Sequence, residues 1–291
     1  MAEIASGRPT PENAEATGAW DGPLFERFVR FRDTLVAGLA VHGEEALRRH
    51  PPAPGQRVLD VGCGFGDLTC RLAGLVGPAG EAVGVDVAPR FVEAARAEAV
   101  AASVANARFA AADVQVADLG GPYDHAYSRF GTMFFAGPVA ALRNVRSALV
   151  PGGRLVMVVW RTRTDNAWLY RAQQIVEDLV ERPAEYDEPT CGPGPFSMAD
   201  ADTVSDILLH AGFTAVGLER FDAPIRCGHD LDEAVDIVMA LGPAGEILRL
   251  AGERAAHRHD EVRAALREGM AEFQTPEGLF ATSSTWIVTA A

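Results

Sequence analysis

The chain contains no lysine: all 26 basic residues among its 291 are arginine, set against 40 acidic ones, for a formal charge of −14. An acidic excess of that size repels phosphate backbones and anionic lipid, which are bound through positive patches. Nucleic acid and membrane surfaces are therefore poor partners. Cysteine is scarce too. Cys63, Cys70, Cys191 and Cys227 lie far apart and form no CxxC pair, which argues against a zinc knuckle or a disulfide scaffold, and no metal site is expected. The longest apolar run, about Leu155–Trp160, falls far short of the roughly 20 residues that a membrane span requires. An early Glu3 and the lack of a hydrophobic stretch behind it give no secretory signal. The expectation is a protein of the reducing cytoplasm.

What is present is ordinary globular material, 48% apolar and 23% charged. Residues 1–18 read as a flexible tail with little to bury. Over 19–55, Leu24, Phe28, Val29, Leu35, Val36 and Leu39 recur at helical spacing, until Pro51, Pro52 and Pro54 stop the pattern. From 56 to 161 short apolar runs (Val58–Val61, Ala82–Val85, Tyr123–Tyr127, Leu155–Trp160) alternate with helical patterns. Strands apolar throughout, separated by helices, predict a parallel sheet covered on both faces. Pro151-Gly152-Gly153 reads as a tight turn feeding the strand Arg154–Trp160. Residues 162–198 hold a helical segment and a loop with Gly192-Pro193-Gly194-Pro195. A helix at about 199–210 leads through Gly212 into a strand-like Phe213–Ile225, within a unit spanning 199–228. Helical patterns fill 229–275, and 276–291 ends in a strand at Phe280–Thr289.

The informative segment is Val58-Leu59-Asp60-Val61-Gly62-Cys63-Gly64-Phe65-Gly66-Asp67, a buried strand and a glycine turn opening a helix. Glycines there allow close approach of a ligand, and the helix start offers free amide donors. Asp86 ends the next apolar strand, twenty residues after Gly66, where it can accept from both hydroxyls of a ribose. Asp113, after the strand Arg108–Ala111, can accept from an adenine amino group, with Val87 and Val114 placed to sandwich the ring. Adenosine occurs in both NAD and S-adenosylmethionine, and charge separates them. A pyrophosphate would face Asp60 and Asp67 across the turn, and like charges about 4 Å apart cost roughly 4 kcal/mol at an effective dielectric of 20. The spacing is GxGxG instead of GxGxxG. A cationic amino-acid tail with a sulfonium suits Asp60 better.

These motifs, with Asp113-Val114 and the Pro151-Gly152-Gly153 turn, resemble the series found in class I S-adenosylmethionine-dependent methyltransferases, and within them the ubiquinone/menaquinone-biosynthesis methyltransferase-like group. The likeness covers about 57–160. It implies an α/β, Rossmann-like, seven-stranded and mostly parallel sheet with helices on both faces, and inserts at 162–198 and 229–275 that build a helical cap together with the N-terminal cap helices at 19–55. It also implies that Asp60 and Gly62 contact the methionine moiety, Asp86 the ribose and Asp113 the adenine. The rest of the turn (Cys63, Gly64, Gly66) belongs to the same cofactor site.

Methyl transfer from a sulfonium is an in-line displacement, so the protein's main work is alignment and exclusion of water. No catalytic residue is evident. Arg129, after the fourth strand, could bind a carboxylate of cofactor or substrate. Phe130 and Met133 could line a substrate pocket with Trp160, and Trp20 could close over it. Ordinary packing explains each of these aromatics as well. In the cap, Trp168, Tyr170, Tyr186, Phe196 and Met239 offer apolar surface for a small, partly hydrophobic metabolite. His125 and His210 read as packing or surface residues, and nothing singles out His229, His257 or His259 as a base. Convergence of Cys70, Cys191 and Cys227 on trivalent arsenic is disfavoured by their spacing. Two rivals remain: a protein that binds S-adenosylmethionine without transferring its methyl, and an NAD-dependent oxidoreductase. Substrate, acceptor atom and oligomeric state are not encoded legibly.

Overall fold

The computed structural model describes residues 4, 10–184 and 194–291; Tyr186, Cys191 and Gly192-Pro193 lie outside the described residues. Its centre is the sheet. Strands β1 (Arg57–Val61), β2 (Glu81–Asp86), β3 (Ala107–Ala111), β4 (Tyr123–Arg129) and β5 (Leu149–Trp160) pair in parallel in the order β3-β2-β1-β4-β5. Beyond β5 the long strand β8 (Gly278–Ala290) runs antiparallel to both β5 and β6 (Gly217–Gly228). The two-residue β7 (Gln274–Thr275) adds an eighth strand to the expected seven. β1 buries Val58, Leu59 and Val61 completely, as a strand covered on both faces must.

Helices α4 (Asp67–Val76) and α5 (Pro89–Ala101) connect β1 to β3, while α6 (Pro138–Ser147) packs with α8 (Ala201–Ala211). Gly212 ends α8 in the left-handed conformation, φ 98°. Two boundaries move. β6 begins at Gly217 and not near Phe213, and β5 begins at Leu149, so the Gly152-Gly153 turn sits inside the strand with Gly152 at φ 80°. The β4–β5 register shifts between Tyr123 and His125, which absorbs the kink.

Helices α7 (Ala167–Leu179), α9 (Leu231–Ala240), α10 (Gly242–Ala251), α11 (Glu253–Ala256) and α12 (His259–Met270) form a second apolar cluster with its own buried residues, among them Ile247, Val262, Leu266 and Met270. Trp168 is buried within that cluster and Met239 packs on it. Trp168 thus helps to consolidate this cluster, because its helices need an apolar interior of their own.

The N-terminus departs most from expectation. Residues Pro11–Ala19 form a helix, α1, followed by a π-helical turn (Trp20–Leu24), α2 (Phe25–Arg30) and α3 (Arg32–Arg49). α1 has almost no apolar stripe, so nothing in its own pattern announces it. Pro11 supplies a preset first turn, and Asn13 is buried against the core. Tertiary contacts hold this helix.

Candidate functional site

The chain reverses its sheet order between β1 and β4: one connection leads from β1 to β2, the other to β4 on the opposite side. Crevices at such switch points, beyond the carboxyl ends of the strands, are where open parallel sheets take ligands. Here the two loops meet backbone to backbone. A Cβ on Gly62 would lie 2.9 Å from the Gly131 Cα, and Gly62, Gly64 and Gly66 all have positive φ, at 72°, 52° and 79°. A Cβ on Gly64 meets no atom within 4 Å, so its backbone borders open space. Cys63 turns inward; its thiol is buried and its N–H donates to the Val85 carbonyl, 3.1 Å away.

Three carboxylates follow one another along this edge. Asp60, in β1, is almost wholly buried; its Oδ2 accepts from the Thr69 hydroxyl at 2.6 Å, while Oδ1 has no partner. Burial raises its pKa from 3.8 to about 7, against the hydrogen bond from Thr69 and the charge of Arg129. Asp86, at the end of β2, accepts from the Gly64 N–H on Oδ2 and the Ala88 N–H on Oδ1, both at 3.0 Å. Each oxygen keeps one acceptor lobe, which matches the two hydroxyls of a diol. Burial pushes this carboxyl up as well. Asp113, 2% exposed, accepts from the Gln115 N–H on Oδ1 (2.9 Å) and from the Thr10 N–H and Asn13 Nδ2 on Oδ2 (both 3.0 Å). Val114 is buried beside it and Val87 is half-buried beside Asp86.

Arg129 does not face the cleft as a free cation. Its guanidinium forms a two-point ion pair with Asp67, 2.7 and 2.8 Å, and lies under Gly43 of α3, where an added Cβ would sit 3.0 Å from its Cδ. The pair cancels the Asp67 charge, and burial holds part of the Asp60 population neutral near pH 7. The electrostatic barrier to a pyrophosphate is therefore smaller than the bare sequence implies, and discrimination between the two adenosine ligands rests more on the other motifs.

Around the crevice stand two aromatic groups. Trp20 lies edge-on to Phe134 (4.8 Å between centroids), Phe28 (5.4 Å) and Phe91 (6.3 Å), so it bridges from the start of α5 to the turn after β4. Phe130, at φ 60°, stacks on Trp160 at 4.3 Å, and the Trp160 N–H points at the Met133 sulfur. A bulky residue held left-handed at a strand end is strained, and such strain gathers at functional sites. Phe130, Met133 and Trp160 thus come together, whereas Trp20 belongs to the other group.

One residue of this wall escaped the sequence reading. His42 of α3 is fully buried, edge-on to Phe130 and Trp160, with Nε2 2.8 Å from the Ser283 hydroxyl and Nδ1 3.0 Å from that of Thr285. Burial lowers its pKa to about 4, opposed by the charge of Asp222. The available signal was Ser283-Ser284-Thr285, three consecutive polar residues in an apolar strand, all buried. Buried polar groups require partners. Among the described residues no group of three or more metal-ligating side chains occurs, and no helix is long and apolar enough to cross a membrane.

A methyltransferase-domain family model matches residues 52–203, just over half of the chain. The chain belongs to that family. It is similar to the ubiquinone/menaquinone biosynthesis C-methyltransferase of Ectopseudomonas mendocina, 36% identical over 107 residues, which cover 36% of this chain and 42% of that one. The corresponding enzyme of Pseudomonas putida is 27% identical over 187 residues, 60% of this chain and 72% of its own. Among solved structures, the [4+2]-cyclase SpnF superposes with a TM-score of 0.56 at 18% identity, covering 98% of both chains. The family and the fold imply S-adenosylmethionine as the methyl donor. The residues fit it: a buried carboxylate oxygen without a partner on Asp60, a turn open at Gly64 and paired acceptor lobes on Asp86 all suit an aminoacyl nucleoside.

Proposed function

We propose that the chain transfers the methyl of S-adenosylmethionine in line to a small metabolite. The observation that carries this reading is the succession of Asp60, Asp86 and Asp113 at the ends of β1, β2 and β3, each with acceptor capacity left over in a family of methyltransferases. The cofactor supplies an electrophilic methyl on a sulfonium centre. Asp60 receives the amino group, Gly62, Cys63, Gly64 and Gly66 shape the bed beneath the aminoacyl tail, Asp86 holds the ribose diol and Asp113 the adenine amino group between Val87 and Val114. Arg129 orients Asp67 and, with its remaining N–H groups, meets the carboxylate. Trp20 and Phe134 keep water from the crevice, which an in-line displacement requires. Phe130, Met133 and Trp160 form the acceptor-side wall, and the helices at 162–198 and 229–275 cap it. The three described cysteines, Cys63, Cys70 and Cys227, are free thiols, which suits work in the reducing cytoplasm.

A second reading has one specific support: SpnF, which the chain matches over nearly its whole length, is named for a cyclisation. In that reading the chain holds the cofactor without transferring its methyl. Calorimetry with S-adenosylmethionine, S-adenosylhomocysteine and NADH tests the site. Binding of the first two but not the third is expected; NADH binding alone would overturn the proposal. Formation of S-adenosylhomocysteine with a panel of small acceptors then separates transfer from mere binding. Asp86→Ala should weaken S-adenosylhomocysteine by about a hundredfold, the loss of two hydrogen bonds to a charged group. Unchanged affinity removes Asp86 from the site.

A further inference from the structure

The N-terminal segment crosses the ends of β2 and β3, and three contacts pin it there. The Asp21 carboxylate accepts the Arg90 N–H at the start of α5 at 2.9 Å, Trp20 sits between Phe91 and Phe134, and the first turn of α1 closes on Asp113. The last contact is the informative one. A carboxylate has about four acceptor lobes. On Asp113 three are taken: both on Oδ2, by the Thr10 N–H and the Asn13 amide, and one on Oδ1, by the Gln115 N–H. A single lobe remains, on Oδ1. Gln115 is itself drawn toward Thr10, its Nε2 donating to the Thr10 hydroxyl at 3.3 Å, so the two sides of the carboxylate are clamped together.

We propose that Thr10 and Asn13 are positioning residues of the nucleobase subsite, which fix the Asp113 carboxylate so that its one free lobe selects a base carrying an exocyclic amino group. This rests on the reading that Asp113 faces the adenine. An amino group at the 6-position donates to the free lobe. The 6-oxo group of hypoxanthine presents lone pairs there and is repelled. If the two N-terminal donors are lost, Oδ2 regains free lobes, the carboxylate rotates, and the requirement for a donor at one place relaxes. A helix with little apolar face of its own would then be retained because it completes the cofactor site.

The test compares S-adenosylhomocysteine with S-inosylhomocysteine, its deaminated analogue, by calorimetry on the full chain. Two variants remove the donors separately. Asn13→Ala deletes the amide, and Thr10→Pro deletes the N–H at a residue whose φ, −60°, proline already has. Wild type should bind the adenine ligand on the order of a hundredfold tighter than the hypoxanthine one, since a site built to pair an N–H rejects the analogue without it. In either variant the ratio should fall to about tenfold or less, mainly through weaker binding of the adenine ligand. A packing role alone would lower both affinities and leave the ratio unchanged; that result overturns the inference. Equal binding of both ligands by wild type overturns it as well, by removing Asp113 from the adenine. Failure of wild type to bind S-adenosylhomocysteine at all would instead sink the cofactor reading beneath it. Asp113→Asn, which keeps the shape and replaces an acceptor by a donor, should invert or abolish the preference.

Discussion

At the scale of single residues, two of the buried ionisable groups, Asp60 and His42, act on stability in opposite directions. Asp60 has its pKa raised by burial from 3.8 to about 7, so between those values the folded chain keeps a proton that the unfolded chain has released. Stability contributed by this group falls as pH rises through the window. For His42, burial lowers the value from 6.5 to about 4, so there the unfolded chain holds the extra proton and stability rises with pH. Across roughly pH 4 to 6.5 the two slopes oppose each other in wild type. Asp60→Asn should expose the histidine slope, with stability dropping by up to about 3 kcal/mol on acidification from pH 7 to 4.5. His42→Gln, which can still meet the Ser283 and Thr285 hydroxyls, should expose the reverse slope. Urea unfolding at four pH values reads both. Slopes of the same sign in the two variants would show that at least one of the groups does not titrate as its burial requires.

At the scale of elements, the glycine turn separates folding from binding within three residues. Gly62→Ala puts a methyl 2.9 Å from the Gly131 backbone at a φ of 72°, so the loops after β1 and β4 must part. The expected cost is about 2–4 kcal/mol, the left-handed penalty plus a clash that backbone cannot relieve cheaply. Gly64→Ala meets no atom, so thermal unfolding should shift by only about 1–2 kcal/mol while S-adenosylhomocysteine binding is lost to the intruding methyl. If Gly64→Ala keeps its ligand affinity, the open side of the turn is not the ligand side. This turn was readable because its signals are local: an apolar strand, glycines and a helix start adjoin in the chain. The parallel strands were readable for the same reason. What stayed hidden depends on distant partners. α1 owes its place to Asp113, a hundred residues away from Asn13, and His42 owes its role to hydroxyls on β8 more than 240 residues on. The Arg129–Asp67 pair, likewise, joins β4 to α4 across the crevice, and no spacing in the sequence announces it.

At the scale of the whole molecule, the described residues hold three apolar clusters, and the long helix α3 ties the two largest, with Ala46 and Leu47 in the sheet's core and Phe31 just before it in that of the proposed cap. The proposed cofactor residues lie in and just after the strands β1 to β4, while the apolar interior of the proposed cap is shared with Ile225 and Cys227 of β6 and Leu279 and Ala281 of β8. Such an arrangement favours partial opening: the helices α7 and α9 to α12 can loosen while β1 to β5 keep their own core. Leu266, fully buried in α12, gives a probe. Leu266→Ala should cost about 2–5 kcal/mol through the cavity it leaves. If the cap opens as a unit of its own, amide hydrogen exchange should quicken by a comparable free energy in α7, α9 and α12 while β1 and α4 keep their protection, and S-adenosylhomocysteine affinity should stay within about twofold. Equal loss of protection in cap and sheet would mean that the two clusters open only together.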